Sequence, residues 1–333
     1  MGLNLNRFSV QPLCSLCLRG DFPASKPQRH REHKGCTEKS QTKALLIFVL
    51  LCVIPVSARG DISQKDARRA LQNMLGWSLP GDSVRIDSIR SSGESVDVSA
   101  EIQTVFRLRL NEGHWQLREI RTAPDRWEQL EVIARAANAE LPSGACDTRG
   151  RFASSKSDRE VTTRRARCLV ASLFGVALPS DDVRIKEISP FGLSIGSESA
   201  ALVVAFVRAD FRLARDGKVW RVAEFKSGNR DWVNVAGLAA SIDQVKRSAA
   251  TDELSTIAKA LGDFRRERGS FVVSDRESVL IDHLSPRYLA RVIRVDPWHR
   301  PYQYEGQPDR YSLRSLGPDG KPNTPDDVVV SGP

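Results

Sequence analysis

The sequence predicts an α+β fold: two duplicated units, each a helix laid on an antiparallel sheet, followed by a third and smaller α+β unit. Three observations predict it. Residues 75–89 (LGWSLPGDSVRIDSI) recur as 174–188 (FGVALPSDDVRIKEI), and 106–127 (FRLRLNEGHWQLREIRTAPDRW) recur as 211–232 (FRLARDGKVWRVAEFKSGNRDW). Self-similarity at a fixed period marks a repeated structural unit. Within each copy the apolar period changes from helical to alternating, with turn residues where a hairpin needs them. After the second copy, residues 251–268 carry one more amphipathic helix, and short strands set among Gly and Pro follow it.

Each copy is read in the same order. In the first, over residues 62–140, Ala70, Leu71, Met74 and Leu75 share a helix face. In the second, over residues 161–248, Leu169, Val170, Leu173 and Phe174 do the same. Gly76 and Gly175 stand where a helix C-cap belongs. Leu79-Pro80 and Leu178-Pro179 then turn the chain. Val84/Ile86 and Val183/Ile185 alternate as strands, as do residues 105–110 and 203–213. Asn111-Glu112-Gly113 and Asp216-Gly217 are hairpin turns. Trp115/Leu117 and Trp220/Val222 lie on the returning strands, and closing helices are expected over 127–139 and 232–245. The repeated Trp residues fill the cores of these small sheets, and Arg85/Arg184 and Arg107/Arg212 are surface positions on strands. Residues 141–160, rich in Ser, Gly, Arg and Asp, are an exposed linker.

The ends of the chain bear on its compartment. Residues 44–58 read ALLIFVLLCVIPVSA, 15 residues without a charge after Lys43. That is short for a membrane span and right for a signal-peptide core, with Val56-Ser57-Ala58 as a cleavage site; a cleaved signal and a retained anchor are both consistent with it. Either places the body in the periplasm or outside the cell, and the retained anchor would hold it at the inner membrane. Residues 1–43 have no helical or strand period and are read as a disordered leader, or as lying ahead of a true start nearer Lys43. Cys14-x-x-Cys17 is half of a zinc site and is read as chance. Cys146 and Cys168 are the only cysteines after the apolar run. In an exported chain such a pair suggests a disulfide, the alternative being two separate buried thiols.

Of the net charge of +9, residues 1–58 supply a disproportionate share, with eight Lys or Arg against three Asp or Glu. The remaining body is only mildly basic, and no cluster of Arg and Lys alternates with stacking aromatics. Nucleic acid is therefore excluded as a partner. No P-loop, dinucleotide fingerprint or paired-histidine metal motif occurs. Gly192-Leu193-Ser194-Ile195-Gly196 fits the G-x-S-x-G pattern, but it falls between strands of the second copy, whereas a nucleophile elbow needs a strand before it and a helix after it.

In the third unit, residues 251–333, Leu254, Ile257, Leu261 and Phe264 form one helical stripe, with Thr251 or Asp252 as its cap and Gly269 as its stop. Then come DPWHRPYQYEG (296–306) and YSLRSLGPDGKPNTPDDVVV (311–330). These segments resemble the C-terminal domain of type II secretion system protein G, the major pseudopilin. The resemblance covers residues 251–330. It implies a helix packed on a short sheet, with Trp298, Tyr302 and Tyr304 between them, and a loop that binds Ca2+. His299 and Asn323 stand where the family has glycine, and the filament helix that opens a pseudopilin is replaced by two other units.

The residues speak to calcium on their own terms. Calcium takes six to eight hard oxygens from carboxylates and carbonyls on a flexible loop. Asp319, Asp326 and Asp327 supply carboxylates, and the glycine-bearing backbone over 316–321 can turn carbonyls inward. The alternative is a solvated acidic turn without metal. By the family pattern, Asp319 and Asp327 are the side-chain ligands and Asp326 a third. The expected function is that of an exported, non-enzymatic envelope protein with a calcium-binding pseudopilin-like domain. It would dock other envelope or secretion-system proteins, with membrane attachment through residues 44–58. Two alternatives differ in class. One is a periplasmic module binding a small molecule or peptide in a cleft around Trp115 and Trp220. The other is a hydrolase, which would need converging carboxylates or a Ser194–histidine pair.

Overall fold

Two long alternating segments organise the chain. The computed structural model describes residues 62–92, 95–142, 146, 161–178, 180–191 and 199–333. The leader (1–43), the apolar run (44–58), most of the linker (141–160), Pro179 and the Gly192–Gly196 motif with Ser194 lie outside the described residues. Strands β2 (Ser95–Asn111) and β6 (Ala200–Asp216) are each 17 residues long. They pair antiparallel from Ser95↔Ala214 to Arg109↔Ala200. Every second residue faces one side of the sheet, where Val96, Val98, Phe106 and Leu108 from β2 and Val203, Ala205, Phe211 and Leu213 from β6 are buried.

The free edge of each long strand is divided between two short ones. β1 (Val84–Ser92) and β3 (His114–Ala123) share the outer edge of β2. β5 (Val183–Pro190) and β7 (Val219–Lys226) share that of β6. β4 (Arg126–Gln129) and β8 (Val233–Asn234) complete an eight-stranded sheet. The two copies thus do not form separate sheets, as the sequence reading had them. Either half alone would leave a 17-residue edge of unpaired N–H and C=O groups, and pairing the halves satisfies both edges.

The matching of the halves is detailed. The ladder of β1 with β2 is interrupted between Ile86 and Ser88, and that of β5 with β6 between Ile185 and Glu187, 99 residues later. Bulges also follow Arg107 in β2 and Arg212 in β6, 105 residues apart. Arg107 pairs with Glu119 at 2.8 Å and Arg212 with Glu224 at 2.9 Å. Each guanidinium lies over an indole, Trp127 at 3.9 Å and Trp232 at 4.0 Å from the ring centroid. Trp127 and Trp232 are therefore half-buried covers for arginines on the sheet surface, not core residues, and Trp115 is the one that fills the core.

Helix α1 (Gln64–Gln72) is capped by Ser63 and α3 (Thr163–Phe174) by Thr162, each side-chain oxygen accepting a backbone N–H of the first turn. Gly175 ends α3 in the left-handed region at φ 65°, as a glycine cap does. α1 stops earlier, at Asn73, and Gly76 lies in a following 3-10 turn, Met74–Gly76. α1 packs on β1 and β7, and α3 on β5 and β3, so each helix spans both halves. Two cores result, one around α3 with Phe106, Trp115 and Val203, the other around α1 with Val98, Phe211 and Leu213. Cys146 and Cys168 are disulfide-bonded, with Cα atoms 5.7 Å apart.

The closing helices differ from expectation in both halves. α2 (Leu130–Ala136) is short because residues 126–129 pair with β3 instead of opening the helix. α4 (Val235–Arg268) runs 34 residues without a break, through the boundary expected near residues 248–251. Asn234 caps it, and Gly269 ends it at φ 81°. Thr251 does not cap a new helix. Its hydroxyl donates to the Arg247 carbonyl one turn back, an option open to any helical threonine. Among the described residues no helix is long and apolar enough to cross a membrane.

The second half of α4 carries the smaller unit. Leu254, Ile257, Leu261 and Phe264 are buried with Tyr302, Tyr304 and Leu313. Helix α5 (Glu277–Leu284) and a three-stranded antiparallel sheet surround this core, the sheet made of β9 (Gln303–Gly306), β10 (Tyr311–Ser315) and β11 (Val328–Gly332).

A buried ion pair ties the larger sheet to the middle of α4. Lys246 Nζ lies 2.8 Å from Glu128 Oε2, with the side chains 7% and 13% exposed. His299 Nε2 approaches the other carboxylate oxygen at 3.3 Å. Burial alone would raise the Glu128 pKa, but the His299 hydrogen bond and the Lys246 charge outweigh it and hold it below the ordinary value. A depressed carboxylate stabilises the fold above the ordinary glutamate range, and that contribution fades as pH falls through the depressed value. Glu128→Ala is expected to cost about 3–5 kcal/mol in urea unfolding, because it strands a buried ammonium, and Glu128→Leu with Lys246→Met to recover most of that loss.

Candidate functional site

The acidic loop between β10 and β11 is held from beneath by the DPWHRPY segment. Asp296 is 2% exposed. Its Oδ1 accepts the backbone N–H groups of Trp298 (3.0 Å) and Arg300 (2.9 Å), which closes a tight turn. Its Oδ2 accepts the Ser315 hydroxyl at 2.6 Å, which joins that turn to the end of β10. The Arg300 guanidinium donates to the carbonyls of Gly317 and Pro318. Trp298 is not part of the core with Tyr302 and Tyr304. Its indole N–H donates to Asp243 on α4 at 2.9 Å.

His299 follows in the left-handed region at φ 67°. A glycine adopts that conformation freely, whereas a histidine there is strained. The side chain that this position presents reaches Glu128 of the large sheet.

The loop itself turns on residues with positive φ: Gly317 at 58°, Gly320 at 67° and Asn323 at 64°. Gly317 is packed so closely that a Cβ would lie 2.4 Å from the Asp326 carbonyl oxygen. The three aspartates of the sequence reading are all in this loop, but their roles differ. Asp326 Oδ2 accepts the Asp319 backbone N–H at 3.1 Å and braces the loop across its width. The nearby Thr324 hydroxyl and the Asp319 N–H hold the Asp326 carboxyl below its ordinary pKa. Asp327, 7% exposed at its side chain, lies 3.5 Å from the Arg314 guanidinium and accepts the Asn323 N–H at 2.8 Å. Asp319 Oδ1 accepts the Lys321 N–H at 2.8 Å.

Asp319 and Asp327 nevertheless meet at one point, the Thr324 hydroxyl. That oxygen lies 3.4 Å from Asp319 Oδ1, 3.4 Å from Asp327 Oδ1 and 3.1 Å from the Lys321 carbonyl oxygen. A hydroxyl has one proton to give. Three acceptors therefore converge on a single donor, an arrangement rich in hard oxygen, with the Arg314 guanidinium beside one of its carboxylates. Among the described residues no group of three or more His, Cys, Asp or Glu side chains is arranged to hold a metal, so any cation here would rest on two carboxylates plus carbonyl and hydroxyl oxygens. Asp296, Arg300, Ser315 and Thr324 were not singled out from sequence. All lie in the two segments that carried the resemblance, and an inventory of hydrogen-bonding side chains in those segments would have raised them.

The other candidate residues are dispersed. Trp115 is buried in the α3 core and Trp220 is half-buried against the α1 core, so the two do not frame one cleft. His299 is engaged with Glu128, and His283 Nδ1 lies 2.9 Å from the Val279 carbonyl oxygen within its own helix.

The model of the family described as type II secretion system (T2SS), protein G, matches residues 238–331. The match begins inside α4, ahead of the stripe that the smaller unit buries, and includes the whole acidic loop. No curated protein and no solved structure matches the chain. Gly317→Ala is expected to lower the midpoint of urea unfolding by the equivalent of about 1–3 kcal/mol, since it combines a left-handed backbone with a Cβ set against the Asp326 carbonyl. An unchanged midpoint would mean that the loop is not held in this shape.

Proposed function

We propose that this chain, whose residues 238–331 are a type II secretion protein G domain, is an exported structural component of the cell envelope that docks other secretion-system proteins. The observation that carries the reading is the family match over the helix, the small sheet and the acidic loop as one continuous unit. The domain is mounted on a large sheet by an unbroken helix, which suits a part that presents one surface at a set distance from another. The reading includes no catalytic role. The apolar run at 44–58 serves export, either cleaved or as an inner-membrane anchor.

The acidic loop in this proposal closes on Ca2+. Asp319 and Asp327 would hold the ion, with the Lys321 carbonyl and the Thr324 hydroxyl as neutral oxygen ligands. Bound calcium supplies only charge and stiffness, fixing a loop whose conformation Asp326, Arg300 and Arg314 already restrict. The donor set favours this reading, because hard oxygens on a glycine-turned loop are what calcium takes. Arg314 beside Asp327 is a local cost that the ion must outweigh.

Two measurements test the proposal separately. Calcium at a hundredfold excess over its dissociation constant should stabilise the full chain by about 2.7 kcal/mol. Chelator should reverse the gain, Asp319→Ala should abolish it, and magnesium should not reproduce it. A melt indifferent to calcium removes the ion and leaves the docking claim standing. Cross-linking in intact envelopes, with photoreactive residues placed on the exposed face of β11, should trap other secretion-system components. Adducts with none of them would defeat the docking claim.

A further inference from the structure

The near-symmetry of the large sheet creates two equivalent troughs, each where a helix, a hairpin and the start of a closing helix meet. One lies between α3, the β2–β3 hairpin and α2. Two residues beyond α2 occupy it: Leu141 packs on that core, and Cys146 is bonded to Cys168 on α3, its sulfur 3.8 Å from the Ser172 hydroxyl. Trp115 beneath is left 3% exposed.

The counterpart lies between α1, the β6–β7 hairpin and the first turns of α4. It is an open groove of 730 Å³. Arg69 and Asn73 line it at the positions that correspond to Cys168 and Ser172, 99 residues apart in each case, and Trp220 stands for Trp115. α2 ends after seven residues and frees the chain to fold back, whereas α4 continues for 34 residues and leads the chain away. Nothing covers this trough among the described residues, and Trp220 stays half-exposed at its floor.

The two troughs differ in charge as well. Arg69, Arg215, Lys218 and Arg221 line the open one against a single acid, Asp66. The counterparts of those four cations in the other trough are Cys168, Leu110, Gly113 and Gln116, none of them charged, and Arg165 takes the place of Asp66. Arg221 pairs with Asp216 at 2.8 Å, but both side chains are about 70% exposed and the pair is readily exchanged. The open trough carries four cations where the other carries one, beside apolar Met74, Trp220 and Val222.

We infer that the open groove binds an extended acidic segment of a partner protein, one apolar side chain seated on Trp220 as Leu141 and Cys146 sit in the other half, and carboxylates on Arg69, Arg215 and Lys218. The chain's own N-terminal segment has the wrong charge for this, with eight Lys or Arg against three Asp or Glu over residues 1–58. The inference goes beyond the proposed function, since it concerns the large sheet and depends neither on calcium nor on secretion.

Three labelled peptides of equal length test it by fluorescence anisotropy against the full chain: one alternating Asp/Glu with Leu, one with Lys in place of the acids, and one of Gly and Ser. The acidic peptide should bind saturably and more weakly as salt rises. Arg69→Gln with Arg215→Gln, two surface changes that should leave the melt unaltered, should weaken it about tenfold or more. Ala239→Trp should block the groove. The inference is overturned if the acidic peptide does not saturate, if the double variant binds it equally, or if the Lys peptide binds as well. A chain that dimerises, and loses dimerisation with Ala239→Trp, would overturn it too by naming a second copy as the occupant.

Discussion

The antiparallel pairing of β2 with β6 is the interaction on which the rest of the molecule depends. Each strand is long enough to serve two short neighbours on one edge, and the other long strand serves its second edge from Ser95 to Arg109. Their pairing sets the phase of alternation for both halves at once, because a slip of one residue would send Val98 and Phe211 to solvent and bring Asp97 and Arg212 into the core. It also fixes where α1 and α3 lie. Each helix finds its apolar floor partly on its own half and partly on the other, so neither half buries its helix unaided.

From this sheet α4 extends as a rod into the smaller unit. Its first turns are packed against the α1 core, its middle holds the Lys246–Glu128 pair, and its last turns carry the stripe buried beneath Tyr302 and Tyr304. The turn around Asp296 adds a second tie. Trp298 reaches back to Asp243 on the helix, and His299 reaches Glu128 on the sheet. His299 sits in a conformation that costs a histidine and not a glycine, and its contact with Glu128 is what that conformation makes available. The smaller unit is thereby tied to the unit that precedes it.

Equivalent backbones in the two halves have been put to different use. The same arginine, glutamate and indole recur on the exposed face of each, while the troughs on the other side have diverged, one closed by a disulfide-bonded return of the chain and the other open and basic. The divergence follows from the length of one helix. Where the closing helix stops after two turns, Leu141 and Cys146 lie on the core, and where it continues the space beside it stays free.

What the sequence determined by itself was local. The alternation of the strands, the Gly113 and Gly217 hairpin turns, the capping role of Gly175 and the apolar stripe from Leu254 to Phe264 all depend on neighbours within a few residues, and so are legible in a linear reading. The DPW and SLG segments were legible as a resemblance for the same reason, since each is a short motif with its own turn chemistry. What only the tertiary structure decided was long-range. Nothing near Ser95 or Ala214 says that they face each other, Thr251 looks the same whether it starts a helix or lies within one, and the two troughs differ through a segment that folds back from beyond α2. Among the three aspartates, composition could place them in one loop but not say which two turn toward the Thr324 hydroxyl, because that depends on three backbone angles with positive φ and on Arg300 and Asp296 holding the loop from below.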